Sequence, residues 1–234
     1  MTIGTLYLVP APLGEDVWPI AAEIKQLISR LQVFAVENPR TTRRHLKRLE
    51  SVAVQTLRFF SLAESDQALR ILLGGEDVGL MSEAGCPGVA DPGAVLVALA
   101  HENGIRVVPF TGPCAIVLAL MASGMNGQRF AFHGYLPIEK TRRAARIAAL
   151  ERDSKSRDET QIFIETPYRN DAMLQSLLAT LSPNMRLCLA SDLTLPTETI
   201  RTDTIARWKR RSPRLEKRPT VFLISASAES RKRR

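Results

Sequence analysis

Val78-Gly-Leu-Met-Ser-Glu-Ala-Gly-Cys-Pro-Gly-Val-Ala-Asp-Pro-Gly93 is the stretch from which the fold can be read. Val78 to Ser82 is a short apolar run, the pattern of a strand buried on both faces. Ser82 to Gly93 then holds three glycines and two prolines, which set a long, stiff backbone path with few bulky side chains. Ala94 to Glu102 follows as a helix. Strand, ligand-type loop and helix in that order are the repeating unit of an open α/β sheet, whose crevices form at the carboxyl ends of the strands.

The same unit recurs on either side. Thr5 to Val9 predicts a buried strand entering the turn Pro10-Ala-Pro-Leu-Gly14, and Val17 to Leu31 a helix with Ile20, Ile24, Leu27 and Leu31 at helical spacing. A strand over Gln32 to Val36 leads through Asn38-Pro39 to a basic helix over Thr41 to Leu49. A second amphipathic helix carries Ala63, Leu69, Leu72 and Leu73 and ends at Gly74-Gly75. Arg106 to Pro109 reads as a strand, Phe110 to Ile116 as a third strand-to-helix loop, and Pro113 to Ser123 as an apolar helix closed by Gly124. Alternation of this kind implies a mainly parallel sheet covered on both faces.

A second α/β domain is expected from near Gln128. It has an aromatic segment over 130–135, a basic helix over 141–152, a strand over Gln161 to Ile164 and a helix over 170–181. A strand over Arg186 to Ala190, a polar segment over 197–203, a helix over 203–210 and a strand over Thr220 to Ile224 follow. The expected domains are residues 1–112, with a mainly parallel sheet, and 113–234, with a mixed sheet.

Composition narrows the class. At 234 residues, 45% apolar and 24% charged, the chain has ordinary globular values. Cys86, Cys114 and Cys188 form no C-x-x-C pair and only three histidines accompany them, so neither a disulfide framework nor a zinc site is indicated, and no metal is expected. No run approaches the ~20 apolar residues that span a bilayer, so no membrane partner and a cytoplasmic location are expected. Of the net charge of +8, residues 201–234 carry twelve Lys or Arg against three acidic residues. A cationic end of that kind attracts polyanions through counterion release, which makes RNA the natural partner. A solvated tail is the alternative for 231–234.

The first ligand-type loop, Pro10-Ala-Pro-Leu-Gly14, lacks the G-x-G-x-x-G pattern of a dinucleotide site. Leu6-Tyr-Leu-Val-Pro-Ala-Pro-Leu-Gly14, Val36-Glu-Asn-Pro-Arg-Thr41, the Ser82 to Gly93 loop, Val108-Pro-Phe-Thr-Gly-Pro-Cys-Ala115, Phe132-His-Gly-Tyr-Leu-Pro137 and Phe163-Ile-Glu-Thr-Pro-Tyr-Arg169 resemble successive motifs of the tetrapyrrole methylase superfamily. Within it the nearest likeness is to the branch of ribosomal RNA small subunit methyltransferase I. The resemblance covers nearly the whole chain. It implies a two-domain fold with S-adenosylmethionine bound between the domains, a homodimer, and methylation of a ribose 2′-hydroxyl in small-subunit ribosomal RNA. Residue by residue, it implies donor contacts from Leu13, Gly85, Cys86, Val89, Cys114, Ala115, Glu165, Thr166, Leu193 and Thr220. The chain departs from the branch at Glu37-Asn-Pro-Arg40, where Glu-Asp-Thr-Arg is usual, at Ser82-Glu-Ala-Gly-Cys-Pro87, where Ser-Asp-Ala-Gly-Thr-Pro is usual, and at Ser191-Asp-Leu-Thr194, where Arg-Glu-Leu-Thr is usual.

Methyl transfer from a sulfonium disperses positive charge, so alignment and desolvation are the main demands. A carboxylate could still take the proton of a hydroxyl acceptor, and Glu37, Glu83, Asp91 and Glu165 are the candidates; a cap or an ion pair is the other role open to each. Cys86 has no histidine beside it in sequence and reads as an inert wall of the donor pocket. Arg40, Arg43, Arg44 and Lys47, with Lys209, Arg210 and Arg211, are expected to meet RNA phosphates; a solvated helix face is the alternative for the first group. Methylation of a small molecule such as a tetrapyrrole, and RNA binding without catalysis on the same fold, are the competing functions.

Overall fold

The computed structural model describes residues 2–14, 18–49, 52–211 and 213–226; the expected helix start at Val17 and the cations at 231–234 lie outside them. The chain divides into two compact units, Met1–Cys114 and Ala115–Arg234.

The first unit is built on a five-stranded sheet in the order β3-β2-β4-β1-β5: β1 (Leu6–Leu8), β2 (Val33–Val36), β3 (Arg58–Ser61), β4 (Val78–Met81) and β5 (Val107–Pro109). Every pairing is parallel. The central strands show why. In β2, Phe34 and Val36 enter one core with Ile28, Leu46 and Met81, while Val33 and Ala35 enter the other with Leu72, Leu80 and Leu96. A strand apolar on both faces requires cover on both faces, which α1 (Ala22–Arg30) and α2 (Pro39–Leu46) provide on one side and α3 (Ser65–Leu73) and α4 (Ala94–Glu102) on the other. Gly79 is held to that size because a Cβ would come within 2.7 Å of the Phe34 ring. Since the strands are parallel, the loops after β1, β2, β4 and β5 all emerge from one edge of the sheet.

The second unit begins with α5 (Ala115–Ser123) and carries a mixed sheet in the order β6-β7-β10-β8-β9: β6 (Phe130–Tyr135), β7 (Thr160–Ile164), β8 (Arg186–Ser191), β9 (Thr199–Thr204) and β10 (Thr220–Ser225). Only β6 and β7 run parallel. One face of the sheet buries Phe163, Leu187, Leu189 and Phe222 against α6 (Lys140–Arg157), α7 (Asn170–Thr180) and α8 (Ile205–Arg211), with Phe163 and Phe222 stacked at 5.7 Å. The other face meets α5.

The sequence reading differs from this at definite places. It has no strand at 58–61, and it gives only a polar segment where β9 stands. Both are edge strands, paired on one side only; β3 gives just Phe59 and Phe60 to the two cores, and β9 is mostly polar. α2 starts earlier than the expected Thr41, because Asn38 caps it by accepting from the Arg40 N–H at 3.0 Å and Pro39 fills the first position, where no N–H is needed. α6 extends past 152, where Glu151 pairs with Lys155 one turn on and accepts from the Ser182 N–H, the second a tie made only in the folded chain. No helix among the described residues is long and apolar enough to cross a membrane.

Candidate active site

In the first unit three loops meet at the carboxyl edge of the sheet. Ala11 and Gly85 exchange both backbone hydrogen bonds, Ala11 N–H to the Gly85 carbonyl at 2.7 Å and Gly85 N–H back at 3.1 Å, so the loops after β1 and β4 are knit together. Gly85 has φ +75°, and a Cβ there would lie 3.3 Å from Leu13 Cδ2 and 3.6 Å from the Pro113 carbonyl. The third loop closes against the first: a Cβ on Gly112 would overlap Pro10 at 2.2 Å. The Cys86 thiol donates toward the Pro113 carbonyl at 3.4 Å, and burial pushes it above its ordinary value, with the neighbouring Cys114 adding to that. Cys86 is therefore a protonated wall of the loop cluster and lacks an activating base.

Leu13, Gly85, Cys86 and Cys114 are thus brought together. Val89 stands one turn on, its N–H on the Cys86 carbonyl at 3.2 Å, and is exposed; Ala115 opens α5 in the second unit. The backbone carries left-handed residues at Gly88 and, unusually, at Ala90 with φ +66°. A non-glycine residue in that region costs about 1–3 kcal/mol and concentrates where a loop is shaped for a ligand.

Three of the four candidate carboxylates share this edge. Glu83 accepts from Asn38 Nδ2 at 2.9 Å and Thr41 Oγ1 at 3.0 Å, and its carbonyl meets His45 Nε2 at 3.1 Å. It is the anchor of α2 on the β4 loop, a partnership across about forty residues that the sequence did not disclose. Asp91 is different. Burial, reinforced by the charges of Glu37 and Glu83 and opposed by the Ser82 hydroxyl, raises it to about 6. Glu37 is exposed on the loop after β2.

Glu165 belongs to the second unit. At that sheet the carboxyl ends of β7 and β8 and the start of β10 lie together, which gathers Glu165, Thr166, Leu193 and Thr220. Thr220 Oγ1 is 2.8 Å from Ser191 Oγ, and Arg218 Nε donates to Asp192 Oδ2 at 2.6 Å. Glu165 Oε1 accepts from the Thr166 N–H at 2.7 Å and from Arg169 Nη2 at 2.6 Å. Its other oxygen, Oε2, is buried without a partner, as are Asn170 Oδ1 and Thr194 Oγ1. Buried acceptors of that kind fit a ligand bearing hydroxyl or amino donors. Among the described residues no group of three or more His, Cys, Asp or Glu side chains is arranged to hold a metal.

The cations expected to meet RNA fall on two helices. Arg40, Arg43, Arg44 and Lys47 line one shallow groove on α2, on the face opposite buried Thr42, His45 and Leu46. The Arg43 guanidinium lies 4.5 Å over the Phe59 ring. Lys209, Arg210 and Arg211 form the last turn of α8. Sequence reasoning missed Arg201 and Arg207, which join Arg211 around Asp203. Their signal was the i, i+4, i+8 spacing of Asp203, Arg207 and Arg211.

Solved structures share this architecture. The methyltransferase CobJ superimposes with a TM-score of 0.62 at 18% identity, over 96% of this chain and 95% of that one. Uroporphyrin-III C-methyl transferase from Thermus thermophilus, solved with S-adenosylhomocysteine, gives 0.57 at 16% identity over 95% and 97%. The fold is the two-domain fold of the tetrapyrrole methylases.

No family model matches the chain. Ribosomal RNA small subunit methyltransferase I of Vibrio cholerae is 33% identical over 198 residues, 83% of this chain and 67% of that protein; its counterpart from Pseudomonas aeruginosa is 34% identical over 210 residues, 88% and 72%. The chain belongs to the ribosomal RNA small subunit methyltransferase I family, and with it to the S-adenosylmethionine-dependent methyltransferases.

Proposed function

We propose that the chain methylates a ribose 2′-hydroxyl of small-subunit ribosomal RNA in the cytoplasm. The observation that carries this reading is the hold of Glu83 on Asn38, Thr41 and His45, which fastens the cationic face of α2 to the Gly85 loop within one compact unit. A cationic helix face of a kind suited to phosphates is thereby tied to the proposed donor loops, which supports the reading. The relatives' names supply the RNA.

S-adenosylmethionine supplies a methyl group already activated on a sulfonium. Leu13, Gly85, Cys86, Val89 and Cys114 would hold it in the first unit, where the missing Cβ of Gly85 lets Leu13 and the Pro113 carbonyl close in on the loop. In the second unit Glu165, Thr166, Leu193, Thr220 and the opening residue Ala115 are the family's donor positions, and the free Glu165 Oε2 offers an acceptor to a hydroxyl. Asp91 takes the proton of the acceptor hydroxyl: burial raises it to about 6, within reach of neutrality, whereas Glu83 is engaged as an anchor.

The test is incorporation of labelled methyl into small-subunit particles and into the RNA extracted from them, followed by nuclease digestion. A 2′-O-methylated nucleoside is the expected product. Label on a base, or donor binding with no label in any RNA fraction, overturns the reading, the latter in favour of a small-molecule acceptor.

A further inference from the structure

Asp203 is the meeting point of two periodicities. It lies on the helix-covered face of β9, opposite Leu187, with Arg201 two residues before it on the same face opposite Leu189, and it starts the i, i+4, i+8 row that continues along α8 through Arg207 and Arg211. Arg201 Nη2 stands 3.8 Å from Asp203 Oδ2, Arg207 Nη1 3.6 Å from Oδ1, and Arg211 Nε 3.6 Å from Oδ2. All three are ion-pair separations beyond hydrogen-bond length, so the carboxylate organises the guanidiniums without consuming their donors. Among the described residues the three have no other carboxylate. Asp203 itself is only 7% exposed and spends Oδ1 on the Thr204 N–H, while the arginine side chains above it are 47–65% exposed. Three cations over one buried anion leave a net charge of two facing solvent.

The platform is also stiff. Trp208 and Ile205 are buried, and the Trp208 indole donates to the Leu187 carbonyl at 2.8 Å, the residue paired with Asp203 across β8 and β9. Three fork-shaped donors gathered over a buried carboxylate on a fixed base suit phosphate oxygens. We propose that Arg201, Arg207 and Arg211, arrayed on Asp203, form an RNA phosphate clamp in the second unit, distinct from the α2 groove of the first. This rests on the reading that the acceptor is RNA.

The experiment measures affinity of the full chain for protein-free small-subunit ribosomal RNA across a salt series. It compares wild type, the double variant Arg201→Ala/Arg207→Ala, and a control, Arg30→Ala/Arg70→Ala, that removes equal charge from exposed positions of the first unit. Calorimetry with S-adenosylhomocysteine follows donor binding in each. The clamp predicts that the first variant binds more weakly and flattens the log–log salt slope by about 1.4–1.8, roughly 0.7–0.9 per lost contact, with donor binding intact. The control should stay close to wild type. Equal effects of both double variants would reduce the cluster to general charge and overturn the proposal, as would an unchanged slope in the first. The same variants measured on assembled small-subunit particles, if weakened there and not on protein-free RNA, would overturn it in favour of an acidic protein partner. Failure of the wild type to bind any RNA would defeat the RNA reading itself, a result separable from an RNA-binding protein indifferent to these arginines.

Discussion

Ala11 and Gly85 face each other as a two-bond antiparallel pair, 74 residues apart in the chain, within a unit whose strands are otherwise all parallel. The pair converts two strand-end loops into one surface. Gly85→Val would force a β-branched residue to φ +75° and press its Cβ on Leu13 at 3.3 Å. The expected cost is about 1–3 kcal/mol in stability, small enough to keep the fold, with loss of donor binding by calorimetry. A folded variant that binds S-adenosylmethionine as tightly as wild type would remove this loop from the donor site.

Asp91 gives stability a pH dependence of known sign. Its folded value of about 6 stands above the ordinary 3.8, so between those values the native chain holds a proton that the unfolded chain has lost. Stability attributable to this group is therefore present at low pH and falls as pH rises through about 4 to 6. Asp91→Asn should raise the urea midpoint above that of wild type near pH 7, and the two should converge near pH 4. The same variant should lose methyl transfer by about 10² or more if Asp91 accepts the hydroxyl proton. Unchanged turnover would leave Asp91 a purely structural group.

Glu83 separates an anchor from a base. Glu83→Gln keeps the carbonyl oxygen that Asn38 and Thr41 use, whereas Glu83→Ala removes it. Thermal unfolding should show the Ala variant destabilised by about 1–2 kcal/mol and the Gln variant near wild type. Methylation by the Gln variant should persist; its collapse in a protein of native stability would transfer the base role to Glu83.

Cys86 should prove chemically dispensable. Burial and Cys114 hold its thiol above the ordinary range, so alkylation near neutral pH is expected to be slower than for a free thiol and to accelerate as pH rises past 9. Cys86→Ser should retain both donor binding and turnover. A loss of turnover with binding kept would mean that the thiol takes part in the chemistry.

Much of this was legible in the amino-acid order. Val33-Phe-Ala-Val36 and Val78-Gly-Leu-Met81 are apolar at every position, and a strand without a polar face can be stable only when covered on both sides, so a parallel sheet between helix layers follows from the sequence alone. The glycines and prolines of 82–93 likewise declare a shaped loop, because their backbone preferences are local. The tertiary structure decided what depends on a partner far along the chain. β3 and β9 are edge strands whose hydrogen bonds come from β2 and β8, so Arg58-Phe-Phe-Ser61 and the polar run of β9 carry little periodic signal. Glu83 became an anchor, Asp91 a group titrating near 6, and Asp203 the base of three arginines only when the sheets set their neighbours beside them. Charge, burial and hydrogen bonding act through space, and spacing in the sequence records them only where an element's own period brings the residues together.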